Sequence, residues 1–239
     1  VVHPKSRESR YISLNRPPLA FCTDDTQVNH SALAQNLHQF STWIAKGGST
    51  TQEDSWVSLE DYLVDNSKED GWHTAEGEDD LLKHYILNRI IYSRQEVPDV
   101  DRDECEFDIP DPHDIVRLLW HKRKPVAFYT IKPEGSHIER RNEYYALPTL
   151  DTAFVRKSSR GKGNGLKIIQ DLVEYFPNGD IGFSSPISQS MLRVLNSFLT
   201  KHREHRHRLW QISGNGAEGH RKLIWFSLAK MRRTIKHMG

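Results

Sequence analysis

The chain has 239 residues, 36% of them hydrophobic and 27% charged, with a formal net charge of +1. That length suits one large domain, or one domain with an extension. No apolar run approaches the roughly 20 residues a membrane helix needs, so no transmembrane segment is expected. The opening residues, VVHPKSRESR, lack the apolar stretch of a secretory signal, and the chain starts on Val1 rather than Met, as a piece of a longer protein does. Two cysteines, Cys22 and Cys105, make no disulfide framework and suit a reducing compartment. The charges are segregated: Glu53 to Asp114 is dense in acids and Arg156 to Lys236 in bases, which suits an anionic ligand or partner on the later part.

In chain order, residues 11 to 23 read as two short strands broken at Pro17-Pro18. Leu33, Leu37, Phe40 and Ile44 recur at helical spacing, and Gly47-Gly48 stops that helix. Val64 to Asp80 is polar and without period, and reads as a long loop. Leu82, Tyr85, Ile86 and Ile90 mark a second helix, followed by an acidic connector over residues 97 to 111. Asp111-Pro112-His113-Asp114 reads as a helix start, with Asp111 as cap and Ile115, Leu118 and Leu119 on the helix. Then the rhythm changes. Val126–Ile131, Tyr144–Leu147 and Leu150–Val155 are extended runs, with turn signals at Pro133-Glu134-Gly135. A glycine loop follows, then a helix with Leu166, Ile169, Leu172, Val173 and Phe176 on one face, ended by Pro177-Asn178-Gly179. Ile181–Ser184 is a short strand and Ser188–Lys201 a helix. Leu209–Ser213 and Leu223–Leu228 are late strands around a Gly214-Asn215-Gly216 turn. The sum is an α/β (α+β-like) chain, a mixed sheet with helices on its faces.

Strand, glycines and helix N-terminus together suit a phosphate. The first N–H groups of a helix lack partners, the dipole adds partial positive charge, and glycine lets the backbone come close. A Walker A loop fails, since no glycine precedes Lys162 at the right distance. The dinucleotide fingerprint fails too, because the glycines stand at 161, 163 and 165. Arg160-Gly161-Lys162-Gly163-Asn164-Gly165 is instead an Arg-x-x-Gly-x-Gly run.

Set between that strand and helix, the run resembles the acyl-CoA loop of the GNAT superfamily of N-acetyltransferases, a likeness covering roughly Asp111 to Leu228. A second resemblance covers most of the chain. LNRIIYSRQE (Leu87–Glu96), LPTLDTAFVRKSSRGK (Leu147–Lys162) and Leu209-Trp210 are similar to the soluble lamin-associated protein family. That likeness implies a nuclear protein associated with the nuclear envelope, with lamina proteins as partners and a GNAT-like region near its start. The expected organisation is an N-terminal part, 1–110, packed on or adding strands to a GNAT-like acyl-CoA-binding core, 111–239.

The GNAT resemblance implies that the amides of Lys162 to Gly165 hold the diphosphate of CoA or acetyl-CoA. Arg160 and Lys162 add charge, with Arg156 or Lys157 at other phosphates. It also implies that backbone near Phe154 and Val155 pairs with the pantetheine arm, and that a protein or peptide amine attacks the thioester directly. Such an attack needs a proton acceptor, for which Asp151 and, more weakly, Glu143 are the nearby carboxylates. Many GNAT enzymes place a tyrosine on the helix after the next strand; SPISQSMLRVLNSFLTKH has none, which favours a second reading as a non-catalytic interaction module. The histidine-rich run Lys201–Arg208 reads as a solvated helix end, because its arginines repel a metal ion. No recognition helix or zinc-finger spacing points to nucleic acid. The acids around Cys105 would raise its pKa.

Overall fold

The computed structural model describes residues 11–13, 56–138 and 142–237. The helix read over Leu33–Ile44, the Pro17-Pro18 break and Cys22 lie outside them. The chain divides into two compact units, Val1–Lys68 and Glu69–Gly239. In the first, β1 (Tyr11–Ser13) pairs antiparallel with β2 (Trp56–Ser58), and a single helical turn, α1 (Leu59–Tyr62), follows.

The second unit is built on seven strands. In chain order they are β3 (Gly71–Thr74), β4 (Ile115–His121), β5 (Lys124–Lys132), β8 (Thr149–Val155), β9 (Ile181–Ser184), β10 (Leu209–Ile212) and β11 (Arg221–Leu223). A small side hairpin of β6 (His137–Ile138) and β7 (Glu143–Tyr144) interrupts the series. Across the sheet the order is β11-β10-β9-β8-β5-β4-β3. β8, β9 and β10 run parallel, and every other pairing is antiparallel. The helices are α2 (Glu78–Tyr85), which continues as a π-helical segment Ile86–Gln95, then α3 (Asn164–Tyr175), α4 (Gln189–Lys201) and α5 (Ile224–His237).

Register shows how both faces are covered. Leu118, Phe128 and Phe154 lie opposite one another on one face, where His84 of α2 and Tyr92 of the π segment pack on the phenylalanines. Arg117, Tyr129 and Ala153 occupy the other face, where Asp171 of α3 meets Arg117 and Tyr129. The α/β class and a mixed central sheet with helices on both faces are therefore as expected.

Three local readings are corrected. The stretch 64–80 is not all loop: Gly71–Thr74 forms edge strand β3, where Trp72 stands edge-on to Tyr129 at 5.0 Å. The segment after Asp111 is not a helix but β4. Its apolar residues are buried toward both faces, a pattern that periodicity alone does not separate from a helix. The hairpin decides. Lys122 and Arg123 both take positive φ, 52° and 63°, the two-residue turn that matches strand twist. Asp111 and Asp114 close a turn instead of a cap, and both carboxylates accept from Lys132 Nζ at 2.6 Å. Lastly, Leu223–Leu228 is not a strand: β11 ends at Leu223 and α5 begins at Ile224.

The basic run at the end of α4 is more than a solvated end. Lys201, Arg203 and His207 are exposed, but Arg208 is buried. Its guanidinium donates to the carbonyls of Phe176, Pro177 and Gly179, closing the C-terminus of α3. His202 and His205 stack on Phe198.

His84 sets a pH dependence. It is buried, its ring edge-on to Phe128 at 4.6 Å, and burial pulls its pKa down to about 3. Below its ordinary value the unfolded chain takes up a proton that the folded chain refuses. Stability is whole above pH ~6.5 and falls by about 1.4 kcal/mol per pH unit below it. Asp114, raised to about 6 mainly by burial, works in the opposite sense between roughly pH 4 and 6, because the folded state binds that proton more readily. Comparing His84→Leu with wild type isolates the imidazole. Urea unfolding at pH 7.5 and at pH 5 is expected to show the variant gaining about 2 kcal/mol on wild type at the lower pH. An equal difference at both pH values would refute a buried neutral imidazole.

Candidate functional site

β8 and β9 pair at Thr149↔Gly182 and Leu150↔Phe183 and then part. β9 ends at Ser184, while β8 runs on to Val155 with β5 along its other edge. At the point of parting the β5 register steps from Ile131↔Leu150 to Thr130↔Thr152, leaving Asp151 as the extra residue of a bulge. A bulge twists its strand and re-aims the side chain it carries. A cavity of about 540 Å³ occupies the gap, lined among others by Asp151, Phe154, Val155, Phe183, Ser184 and Val194. The Arg156 N–H donates to the Val126 carbonyl on β5 at 3.0 Å. Strand alternation then turns the main-chain groups of Ala153 and Val155 toward the gap.

After β8 a short 3-10 turn, Lys157–Ser159, leads into the glycine loop. Gly161 and Gly163 take φ of 74° and 81°, and a Cβ on either would meet nothing within 4 Å. That is left-handed backbone with open space beside it, which glycine adopts freely. α3 starts at Asn164, with Gly163 as its N-cap and no side-chain cap. The N–H groups of Gly161 to Gly165 have no hydrogen-bond partner among the described residues. Orphan donors at a helix start are the kind of group that anions accept from. Gly165 also serves close packing, since a Cβ there would lie 2.9 Å from a Val194 methyl; glycine is what lets α3 approach α4 so closely.

The loop's side chains fold onto its own carbonyls. Lys162 Nζ donates to the Ser158 carbonyl at 2.8 Å, and Asn164 Nδ2 to that of Ser159 at 2.9 Å. Arg160 Nε donates to the Val155 carbonyl at 2.9 Å, with the guanidinium 6.0 Å from the Phe154 ring. The carbonyl that alternation presents to the gap is thus held by Arg160.

Of the residues singled out in the sequence, Asp151, Phe154, Val155, Arg160, Gly161 and Gly165 line the cavity. Lys162, Gly163 and Asn164 form the turn next to them, and half-buried Arg156 closes the end of β8. Glu143 sits on β7 opposite Ile138, away from the cavity lining. The Asp151 carboxylate accepts from Ser184 Oγ at 2.7 Å, tying the two strands where they part.

Sequence reasoning missed the wall supplied by the acidic connector. Tyr92 lines the cavity, donates its hydroxyl to the Cys105 carbonyl at 2.7 Å, and stacks on Phe107 at 4.4 Å. Burial, and then the Glu104 charge, push its pKa up. Asn88 and Arg89 hold the carbonyls of Asp108 and Phe107 from the π segment. On the other side, Gln189 donates to the Asp101 carbonyl at 3.3 Å and Ser190 Oγ to Glu104 at 3.4 Å. The connector therefore reaches from the π segment to the start of α4. The Cys105 thiol is pushed up in pKa as expected, but burial leads and the Asp151 and Asp108 charges follow.

No protein-family model matches the chain. It is 31% identical over 233 residues to Protein FAM169B of Mus musculus, covering 94% of this chain and 67% of that protein. It is 32% identical over 115 residues to Protein FAM169BP of Homo sapiens, covering 46% of this chain and 58% of that protein. Among solved structures, an aminoglycoside antibiotic 6'-N-acetyltransferase, AAC(6')-Ih of Acinetobacter baumannii, is 13% identical with a TM-score of 0.34, over 54% of this chain and 89% of that one. A score that low has no bearing on function, and the fold rests on the sheet order above.

Proposed function

The chain belongs to the family of Protein FAM169B, and we propose that its second unit binds CoA or acetyl-CoA and passes an acetyl group to an amine by direct attack. The observation that supports this reading is the junction of a parted β8–β9 pair with a glycine helix start whose N–H groups are unspent. The residues fit the ligand: Gly161 and Gly163 leave open the space that side chains would fill. When bound, acetyl-CoA supplies an activated thioester. The amides of Lys162 to Gly165 hold the diphosphate, and Arg160 and Lys162 add charge beside it. Ala153 and Val155 orient the pantetheine arm through main-chain groups, once Arg160 releases the Val155 carbonyl. Phe107, Phe154 and Phe183 keep water from the cavity. Asp151, its geometry held by Ser184, accepts the proton of the amine as the nitrogen bonds the acetyl carbon, and the C–S bond breaks to release CoA as a thiolate that takes its proton from solvent.

Titration calorimetry with CoA tests the cradle. Wild type is expected to bind, and Gly163→Glu to lose at least tenfold in affinity, because its side chain fills the space and brings like charge. A residue other than glycine at that φ costs about 1 kcal/mol of stability, so melting curves accompany the titration. Equal heats from two folded proteins would remove the CoA reading.

A second reading keeps the fold and the ligand without turnover. It is supported by the lack of tyrosine on α4 and by the Tyr92 hydroxyl being spent on a carbonyl. Nuclear placement and lamina partners belong to this reading and rest on the resemblance of Leu87–Glu96, Leu147–Lys162 and Leu209-Trp210.

A further inference from the structure

Glu96 follows the last turn of the π-helical segment, its N–H donating to the Ile91 carbonyl at 2.7 Å across five positions. Its carboxylate Oε2 accepts the backbone N–H of Lys157 at 2.6 Å, joining segments 61 positions apart. That N–H is where the chain leaves the sheet. The N–H before it, of Arg156, still bonds to β5. Alternation points the Lys157 N–H away from β5, where no strand continues to receive it. Glu96 takes its place and the chain turns. The carbonyls of the 3-10 turn that follows then brace the cradle, Ser158 accepting from Lys162 and Ser159 from Asn164.

By charge alone a carboxylate this close to a phosphate loop opposes anion binding. What it supplies is geometry: a charge-assisted bond that fixes where the turn begins. We propose that Glu96 is a positioning residue for the ligand loop, setting the turn at Lys157 so that the N–H groups of Gly161 to Gly165 converge on one anion. This rests on the CoA reading for the identity of the anion, but not for the positioning itself.

Two variants separate geometry from charge. Glu96→Gln keeps a carbonyl acceptor and drops the charge; Glu96→Ala removes both. In calorimetry with CoA, the alanine variant is expected to bind about tenfold more weakly, and the glutamine variant as well as wild type or better. In the ligand-free protein, amide hydrogen exchange at Ser159 and Arg160, whose N–H groups donate to the Arg156 and Lys157 carbonyls, is expected to quicken about tenfold in Glu96→Ala and to keep the wild-type rate in Glu96→Gln. Tighter CoA binding by both variants would make Glu96 a repelling charge only and overturn the proposal. Unchanged exchange in Glu96→Ala would overturn it as well. If no form binds CoA, the CoA reading falls on its own, and exchange at Ser159 and Arg160 still decides whether Glu96 positions the loop.

Discussion

Replacing Asp171 with alanine is expected to lower the stability of the second unit by about 3–5 kcal/mol, the cost of breaking a buried ion pair from one side. Asp171 lies on α3 and accepts Arg117 Nε at 3.0 Å and Arg117 Nη2 at 2.8 Å, a two-pronged pair. Its second oxygen also accepts the Tyr129 hydroxyl. The paired side chains are 12% and 13% exposed, so solvent screens them little. Arg117 Nη1 goes on to Thr74 Oγ1 at 2.8 Å, which ties β3 into the same cluster. Removing the carboxylate strands a guanidinium and a phenol against the sheet. Asp171→Asn, which keeps one carbonyl acceptor, should cost distinctly less. Urea unfolding measures both, and a loss under about 1 kcal/mol for the alanine variant would mark the pair as an ordinary surface contact. The cluster also holds the helix whose first turn carries the proposed CoA cradle, so this loss and the site share one element.

The parts of the fold that were legible carry two signals at once. The helix read over Ser188–Lys201 has a serine whose hydroxyl accepts from the Met191 N–H and an apolar stripe ending at Phe198, and it is α4 almost to the residue. α3 has glycines before it and Pro177-Asn178-Gly179 after it. Where one signal stood alone it misled. Ile224, Phe226 and Leu228 look like one face of a strand, yet Ile224 and Leu228 are buried while Phe226 is 67% exposed. That is the spacing of a helix, chosen because α5 packs on α4 and β10 rather than extending the sheet. β3 hid in a polar stretch because an edge strand of four half-buried residues needs little apolar sequence.

The site divides the same way. Its glycine loop is local, six residues in a row, and its place between a strand and a helix was readable from the sequence. Its far wall is not local. Tyr92, Cys105 and Phe107 reach the cavity because a π segment and an acidic connector fold over it, and acids facing a cavity look the same in sequence as acids facing water. The bulge at Asp151 was equally invisible, since only the β5 register reveals it.

That bulge makes Asp151→Asn the sharpest test of catalysis. Asparagine keeps the shape and can still accept from Ser184 Oγ, so the mouth of the cavity should hold. It cannot take a proton. Turnover of acetyl-CoA with a panel of amines and basic peptides, followed by thiol release, is expected to fall by about 10²- to 10⁴-fold, or roughly 3–5 kcal/mol of barrier. CoA affinity should stay within about twofold, because the cradle lies at Gly161–Gly165 and is untouched. The gap between variant and wild type should also narrow as pH climbs toward the pKa of a simple amine, about 10, since the acceptor then arrives without its extra proton. A strut would behave differently, with affinity and turnover falling together and no relief at high pH. Equal turnover in both proteins would leave Asp151 as a partner for Ser184 and hand the proton to solvent.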